Sequence, residues 1–478
     1  MLFNSLAYFY FIAAVLAIYY SILNLKSKTL WVIWFLTSAS IFFYAYWNVF
    51  DLFIFLSSIG VNYLIGKKIY DFKRFHGSLA KRLLQIGISG NLLLLIFYKY
   101  SDFLIENTNH LFGFSISSLN LALPLAISFF TFQQIAFLVD VYTKDDIKDF
   151  YTFSDYIFFV SFFPHLIAGP IVLHKELIPQ IKNVPTFTSR MKENIQKGFS
   201  IFILGLFKKV IFAETFANSA DHIFNSSQIA QFSSFEVWKG VLSYTFQIYF
   251  DFSAYSDMAI GSALALGFVL PINFNSPYKA SSIIDFWRRW HISLSSFLRD
   301  YLYIPLGGNR DGNLMRYRNL FLTMLLGGIW HGAGWNFLIW GFLHGSYLTF
   351  NHLWREKVKF KLPDSLSYFI TFICVVNAWV FFRATTFSSA FSILKSMYSF
   401  SGFSLNRLMT FNEIVLISIL GALVAFKAPN NMEVFEIIKS NRKLKWQEST
   451  AWALSLGLCV LTIFLYFSNE NKFIYFQF

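Results

Sequence analysis

His331 is an ionisable residue in an apolar part of the sequence, and the glycines around it favour a break in regular backbone structure. His331 follows an apolar run that begins at Asn319, and four glycines surround it within residues 327–334. Each glycine costs a helix up to about 1 kcal/mol relative to alanine, so the cluster predicts a helix break and the close approach of a ligand. An ionisable group at membrane depth is a functional candidate by default, so His331 is a candidate functional residue. A histidine satisfied by a neighbouring helix gives the same pattern.

An aromatic and basic segment, residues 285–308, contains the second candidate, His291. If this segment forms one helix, residues spaced by about four positions share a face. One face would then carry Phe286, Trp290, Phe297 and Tyr301, and the next face Trp287, His291, Ser295 and Arg299. An amphipathic helix whose basic side meets lipid headgroups explains the same pattern without any chemistry.

Four further side chains are candidates to line a cavity: His165, Asp251, Asp257 and Trp330. Acids inside an apolar run can relay protons or bind a cation, as in a transporter, or they can hold Arg or Tyr partners that fix a wall. A transporter would more typically show paired broken helices in two halves of the sequence, and no such duplication is visible. His344 lies between Gly341 and Gly345, a spacing of small residues that predicts helix packing.

The sequence contains no recognised metal or nucleotide motif. No HExxH occurs, no pair of histidines has the spacing of a helical zinc site, and no GxSxG, Walker loop or dinucleotide fingerprint stands out. We therefore expect no metal. The two cysteines, Cys374 and Cys459, lie in apolar runs and predict packing rather than a disulfide. The remaining histidines are typical of loops or interfaces: His76, His110, His174, His222 and His352.

The composition is that of a membrane protein. Of 478 residues, 56% are hydrophobic and only 14% are charged, whereas soluble domains carry about 25% charged residues. Runs of about 17–25 apolar residues can cross a bilayer, and backbone inside lipid must satisfy its own hydrogen bonds, so such runs predict helices. The runs are 2–23, 30–47, 49–66, 83–99, 119–141, 198–217, 238–268, 319–334, 335–352, 365–382, 411–427 and 450–468. We expect an all-α polytopic membrane protein with about 11–12 transmembrane helices plus re-entrant segments.

The loop charges orient these helices. With the N-terminus outside, most of the 39 Lys and Arg residues fall in cytoplasmic segments, as the positive-inside rule requires. The formal charge of +13 is then mainly a signal of topology, and nucleic acid is not an expected partner. The first run, 2–23, has no basic residue before it and no cleavage site after it, so it predicts a retained span. Without a linker or repeat, residues 1–478 predict a single domain.

Two stretches fit neither an ordinary span nor an ordinary loop. Residues 152–173 are apolar but contain Pro164, Gly169 and Pro170, which favours a re-entrant segment. Residues 271–318 are too aromatic for a free loop and too charged for a span. Broken backbone at membrane depth is tolerated only where protein or a water-filled cavity covers it. These stretches therefore predict a cavity that opens to the cytoplasm.

Taken together, these segments resemble the membrane-bound O-acyltransferase (MBOAT) superfamily. They most resemble its bacterial branch, the alginate O-acetylation membrane protein and the peptidoglycan O-acetyltransferase A proteins. The resembling motifs are residues 164–171, 249–257, 287–308, 327–335 and 473–478. The resemblance implies that His331 is the superfamily's near-universal histidine and that His291 is its usual second catalytic position. It also implies the MBOAT fold, a helical ring around a central acyl-transfer tunnel, with a catalytic core at roughly residues 150–352.

The resemblance further implies the reaction. Acetyl would pass from cytoplasmic acetyl-CoA across the bacterial inner (cytoplasmic) membrane to hydroxyls of an envelope polysaccharide, above all peptidoglycan, with a periplasmic esterase-like partner completing the transfer. His331 would remove the hydroxyl proton, while His291 would orient the donor or donate a hydrogen bond to the oxyanion. The expected contacts of polyanionic coenzyme A are Lys279, Trp287, Arg288, Arg289 and Arg299. The topology explains these cations equally well.

Three other functions stay open on the sequence. One is alginate O-acetylation, and another is transfer of D-alanine from a carrier-protein thioester to teichoic acid. The third, which is not enzymatic, is a transporter or a component of polysaccharide export.

Overall fold

The computed structural model describes residues 1–23, 25, 28–144, 149–167, 169–184, 189–358, 360–399, 401, 413–439 and 444–467. All regular secondary structure within these residues is helical, and no strand occurs in them. The predicted all-α class is therefore confirmed. The terminal motif at 473–478 lies outside the described residues, and so does position 168 of the motif at 164–171.

The chain divides into two compact units, residues 1–202 with 258–271 and residues 203–257 with 272–478. The helices that begin in unit 1 are α1 (Leu6–Ile22), α2 (Lys28–Ala45), α3 (Val49–Lys73), α4 (Gly77–Phe112), α5 (Ile127–Thr143), α6 (Phe153–Ser161), α7 (Phe163–Leu166), α8 (His174–Lys182) and α9 (Ser189–Phe207). Those that begin in unit 2 are α10 (Glu214–Phe224), α11 (Ser234–Ala265), α12 (Ile283–Trp287), α13 (Ile292–Leu298), α14 (Gly312–His331), α15 (Trp335–Lys357), α16 (Asp364–Arg383), α17 (Phe387–Tyr398), α18 (Glu413–Phe426), α19 (Asn431–Val434) and α20 (Thr450–Tyr466). The single domain and the limits of its catalytic core stay predictions.

Each predicted span overlaps a helical stretch, although residues 119–126 of the span predicted at 119–141 are not helical. A π-helix (Lys208–Ala213) links α9 to α10 within the span predicted at 198–217. Among the described residues, four helices are long and apolar enough to cross a bilayer, namely α2, α3, α4 and α16. Shorter apolar helices occur at Leu6–Ile22, Ile417–Phe426 and Thr450–Tyr466. These findings confirm a polytopic membrane protein. The number of crossings, the ring and the tunnel stay predictions.

In unit 1, small and polar residues hold three of the apolar helices together. A Cβ added at Gly66 of α3 would lie 2.5 Å from the ring of Phe137, and one added at Gly87 of α4 would lie 2.5 Å from Leu138. The α3 and α4 helices are also joined by buried amides, since Asn91 Nδ2 donates to Asn62 Oδ1 at 2.6 Å. Small residues and amide hydrogen bonds are the usual means of helix association where lipid removes the hydrophobic driving force.

In unit 2, α14 and α15 approach until their backbones touch. A Cβ added at Gly341 would lie 2.6 Å from the carbonyl oxygen of Met324, and a Cβ at Gly328 would collide with the carbonyl oxygen of Phe337. At Gly345 the added Cβ would lie 3.0 Å from the ring of Phe321. The packing predicted from the spacing of Gly341 and Gly345 is therefore present. Gly328 serves the same contact, so at this position the close approach is by a neighbouring helix.

Residues 286–301 do not form one continuous helix, so the condition for the two shared faces is not met. The α12 helix ends at Trp287, and His291 has a left-handed backbone with φ of 43°, before α13 begins at Ile292. A second π-helix (Arg299–Tyr303) follows. Hydrogen bonds to a distant residue stabilise this break, because Ile292 N donates to the carbonyl oxygen of Asn273 at 2.9 Å. Helical periodicity is a local property and carries no information about such contacts.

Replacement of Gly341 by alanine is expected to destabilise the protein by about 1–3 kcal/mol, because the added methyl group meets backbone that cannot move aside easily. The measurement is thermal unfolding of the detergent-solubilised protein. Gly90→Ala is the matched control, since a Cβ at Gly90 meets nothing within 4 Å and alanine favours the helix. Equal melting temperatures for the two variants would contradict the close helix contact.

Candidate active site

His331 is the last residue of α14, and the chain leaves the helix immediately after it. Gly332 is extended, with φ of −167° and ψ of 157°. A side chain at Gly332 would collide with the ring of Phe337. The helix break predicted from the glycines is therefore present at the residue that follows His331. The imidazole therefore lies at the C-terminal end of α14, where no further helical turn follows it.

The His331 ring lies among three aromatic rings. Ring centroids are 4.9 Å away for both Trp330 and Trp340, and 5.1 Å away for Phe382. Only 7% of His331 is exposed. Because these neighbours are apolar and polarisable, charge that forms beside the imidazole is screened little by water. Trp330, predicted to line a cavity, is thus a direct neighbour of His331.

The second histidine, His291, is fully buried and held in one tautomer. Its Nδ1 lies 3.0 Å from Asn273 Oδ1. The same oxygen accepts the backbone N–H of Ser293 at 3.3 Å, and Asn273 Nδ2 donates to Ser256 Oγ at 3.1 Å. A backbone N–H can only donate, so the Asn273 atom is the amide oxygen and His291 Nδ1 carries the hydrogen.

The Nε2 atom of His291 consequently carries a lone pair. It is buried and has no hydrogen-bond partner among the residues that the structure describes. Burial also lowers the pKa of His291 below its ordinary value, which favours the neutral ring. This side chain is therefore built to accept a proton or a hydrogen bond at Nε2. Of the two roles expected for His291, orientation of the donor fits this tautomer, whereas donation to an oxyanion does not.

The expected donor contacts are distributed unevenly. Lys279 and Arg289 line one cavity of about 1020 Å³ in unit 2, together with Lys427 and the aromatic rings of α16. Arg289 also pairs with Asp285 at 2.9 Å. Arg288 is exposed to the surroundings, and the exposed Arg299 pairs with its neighbour Asp300. The structure thus brings two of the four cations into one cavity, although all five donor contacts stay predictions.

Trp287 occupies a different position from these cations. It is buried, and its indole N–H donates to His344 Nδ1 at 3.2 Å. Its ring centroid lies 5.8 Å from that of Trp340, a neighbour of His331. Trp287 therefore joins the aromatic cluster next to His331 rather than the cationic cavity.

The two acids of α11 pair with lysines of the π-helix that links α9 to α10. Lys209 Nζ lies 2.6 Å from Asp251 Oδ1, and Lys208 Nζ lies 2.5 Å from Asp257 Oδ2. Asn431 Nδ2 also donates to Asp257 at 2.5 Å. A buried charge that loses its partner costs several kcal/mol, so these ion pairs fix α11 against its neighbours. The partners are lysines rather than the expected Arg or Tyr, and the pairs favour a wall-fixing role for both acids.

His165 lies in unit 1 with both ring nitrogens engaged. Its Nε2 donates to the carbonyl oxygen of Phe159 at 3.0 Å, and Gln133 Nε2 lies 3.2 Å from its Nδ1. The side chain is only 2% exposed. A histidine with both nitrogens satisfied by protein has none left for a substrate, so the structure favours its core role. His174, interpreted from the sequence as a loop or interface residue, is also buried and pairs with Asp140 at 3.2 Å.

Asn273 was missed in the sequence, although it fixes the tautomer of His291. It lies in the run Pro271-Ile272-Asn273-Phe274-Asn275, which has no motif spacing relative to His291. The one feature of the sequence that could have indicated Asn273 is that Asn273 and Asn275 flank Phe274 in a segment too aromatic for a free loop. A buried amide in such surroundings requires partners, and one of those partners is a catalytic candidate.

The fold is that of a helical membrane protein, and its candidate site contains buried histidines. A family model described as the membrane-bound O-acyltransferase family matches residues 143–400. The chain is 41% identical to a peptidoglycan O-acetyltransferase of Helicobacter pylori, over 93% of this chain and 91% of that protein. It is 40% identical to a probable alginate O-acetylase AlgI of Pseudomonas aeruginosa, over 77% of this chain and 70% of that protein.

A more distant relative is a teichoic acid D-alanyltransferase of Bacillus subtilis, 29% identical over 56% of this chain and 70% of that protein. All three relatives carry names of acyl or aminoacyl transferases. The chain belongs to the membrane-bound O-acyltransferase family, and it is an O-acyltransferase. The resemblance that implied catalytic roles for His331 and His291 is therefore confirmed, while those roles stay predictions.

Replacement of Asn273 by aspartate tests the hydrogen bond to His291. A carboxylate beside Nδ1–H stabilises the imidazolium, so the pKa of His291 is expected to rise by about 1 to 3 pH units. His291 can accept a hydrogen bond at Nε2 only while that atom is unprotonated, so activity should be lost at a higher pH on the acid side than in the unmodified protein. The measurement is the pH profile of kcat/KM. Asn275→Asp is the matched control, and identical acid limbs for both variants would contradict this assignment.

Proposed function

We propose that this protein transfers acetyl from cytoplasmic acetyl-CoA through the bacterial inner membrane for O-acetylation of peptidoglycan. The observation that carries the proposal is the 41% identity to a peptidoglycan O-acetyltransferase, which extends over 93% of this chain. The match includes the segments that hold His291 and His331, because the family model spans residues 143–400. A likeness confined to membrane helices would support only the fold.

In the proposed reaction, His331 acts as the general base. It removes the proton from the acceptor hydroxyl while the hydroxyl oxygen forms a bond to the carbonyl carbon of the thioester. The carbonyl electron pair moves to oxygen, and it returns when the carbon–sulfur bond breaks. The leaving thiolate then takes the proton from the imidazolium. The products are an acetyl ester and coenzyme A, and the neutral histidine is regenerated.

His291 accepts a hydrogen bond at its unpaired Nε2 in this proposal. The amides of the pantetheine arm of coenzyme A are N–H donors of the required kind, so His291 orients the donor. The hydrogen bond from Nδ1 to Asn273 sets the ring plane before substrate arrives. A preset ring avoids reorganisation at the moment of reaction, and orientation of this kind is a large part of enzymatic rate enhancement.

The cavity that contains Lys279, Arg289 and Lys427 suits the other end of the donor. Coenzyme A carries several phosphate charges, and Arg and Lys are the side chains that recognise phosphate. The lining also includes the aromatic side chains of Tyr368, Phe369 and Phe372, and one acidic residue, Glu433. At about 1020 Å³, the cavity has the size of a site for a large ligand.

The acceptor side requires a partner in this proposal. Peptidoglycan lies outside the inner membrane, whereas both candidate histidines are buried within the helical protein. A periplasmic esterase-like protein would take the acetyl group and place it on sugar hydroxyls. Alginate is the second candidate polymer, because the chain is also 40% identical to a probable alginate O-acetylase.

Replacement of His331 by alanine is expected to abolish O-acetylation, because no base remains to remove the hydroxyl proton. The measurement is the acetate released from cell walls by mild alkali, with membrane insertion verified in parallel. His110→Ala is the matched control, since His110 is exposed on α4 and should have no effect. Unchanged acetate in the His331 variant would remove this residue from the mechanism.

The donor is tested with purified protein and two thioesters. Radiolabelled acetyl-CoA should acetylate the acceptor or the partner, whereas D-alanyl carrier protein should give no transfer. The reason for this expectation is the lower and shorter similarity to teichoic acid D-alanyltransferases, 29% identity over 56% of the chain. Transfer from the carrier thioester alone would overturn the proposed donor.

A further inference from the structure

Three buried N–H groups that have no hydrogen-bond partner among the described residues lie in one aromatic cluster beside His331. They belong to His344, Trp340 and Trp379, and we name them the donor cluster. The Nε2 atom of His344 and the Nε1 atoms of the two tryptophans are buried, and none has a hydrogen-bond partner among the described residues. The three side chains are essentially inaccessible, at 0%, 1% and 0% exposure respectively.

The proton on His344 is located by its neighbour. The indole N–H of Trp287 donates to His344 Nδ1 at 3.2 Å. An indole nitrogen can donate but cannot accept, so Nδ1 of His344 must carry the lone pair. In the neutral ring the hydrogen then lies on Nε2. His344 is therefore a hydrogen-bond donor at the atom that has no partner.

The donor cluster is compact and adjoins the catalytic candidate. Ring centroids of Trp340 and His344 are 4.7 Å apart, and those of Trp340 and Trp379 are 6.0 Å apart. Trp340 is also 4.9 Å from His331. The four rings thus form one continuous group, in which Trp340 lies directly beside the candidate base and contacts the other two donors.

Packing alone does not account for these donors. A buried polar group without a partner costs about 1–3 kcal/mol, and three of them in contact would destabilise the fold accordingly. Phenylalanine or leucine would fill similar volumes at no such cost, as Phe382 does in the same cluster. A ligand atom that only accepts hydrogen bonds would remove the penalty. The carbonyl oxygen of an acyl group is such an atom.

We infer that the donor cluster, with His344 and Trp340 as its principal members, binds the thioester carbonyl oxygen and stabilises the oxyanion formed during transfer. The inference rests on the proposed function, because it names the groups that receive the negative charge when His331 takes the hydroxyl proton. The charge forms on oxygen as the new carbon–oxygen bond forms. It disappears when the thiolate leaves, so the donors are needed only in between.

The two other histidines have complementary tasks under this inference. His291 presents a lone pair at Nε2 and His344 presents a hydrogen, so one accepts where the other donates. Negative charge cannot be stabilised by the acceptor nitrogen of His291. The role of oxyanion donor therefore moves from His291 to His344, a histidine interpreted from its glycine spacing as a packing residue.

The test compares variants that differ in the ability to donate. His344→Leu should lower kcat about 100-fold or more with little change in KM, the usual effect of losing one oxyanion donor. His344→Gln retains an N–H and should recover part of kcat. Trp340→Phe removes a donor but keeps an aromatic ring, and it should also lower kcat. Trp31→Phe, at an exposed position on α2, is the matched control.

A binding measurement separates this inference from a purely structural role. S-acetonyl-CoA keeps a carbonyl and S-ethyl-CoA lacks one, and neither can transfer its acyl-like group. Loss of the donors should lower the affinity for S-acetonyl-CoA about tenfold or more. The affinity for S-ethyl-CoA should not change, because that analogue has no carbonyl oxygen for the donors to bind. If His344→Leu does not fold, Trp340→Phe gives the same comparison.

The outcomes distinguish the two proposals. Suppose that the wild-type protein is active. If the variants then keep the wild-type kcat, or bind both analogues more weakly by the same factor, the inference about the donor cluster is overturned and the proposed acetyltransferase function is unaffected. Wild-type protein that neither binds nor uses acetyl-CoA overturns the proposed donor and the inference together. A kcat for His344→Gln as low as that for His344→Leu, with both variants folded, also contradicts hydrogen-bond donation at this position.

Discussion

The contact between the backbones of α14 and α15 is the constraint on which the site depends. Gly328 and Gly341 allow the two helices to approach more closely than any side chain would permit. His331 ends the first helix, and Trp340 and His344 lie on the second. The Trp340 ring can therefore contact both imidazoles directly, edge-to-face with His331 and tilted against His344. A wider separation would leave the imidazoles in different environments and would admit water between them.

Hydrogen-bond accounting separates the buried histidines into two kinds. His165 uses both ring nitrogens on protein groups, which is how an imidazole behaves as part of a core. His291 and His344 each use one nitrogen and leave the other without a described partner. Burial alone does not distinguish these residues, since all three are almost inaccessible. The difference is that His291 and His344 each keep one ring nitrogen available for a hydrogen bond with a substrate.

The helices of this protein could be predicted because hydropathy and length are local properties of the sequence. Residues 2–23 or 365–382 are recognisable as helices without knowledge of their neighbours. The break at His291 and the partnership with Asn273 are different, because contacts across sequence determine both. The same holds for the lysine partners of Asp251 and Asp257, which come from another helical segment. The glycine cluster indicated His331, and the family resemblance implied catalytic roles for His331 and His291, whereas neither gave a reason to select His344 for catalysis.

The left-handed backbone at His291 narrows the set of residues that this position can accept. Among ordinary side chains, asparagine and aspartate tolerate that conformation best after glycine, whereas β-branched residues do not. Alanine would therefore remove the imidazole and also place a poorly suited residue on a strained backbone. Only a residue with a ring nitrogen preserves the chemistry, and only a residue tolerant of positive φ preserves the turn. Histidine meets both requirements, so the backbone conformation and the chemistry both limit which substitutions position 291 tolerates.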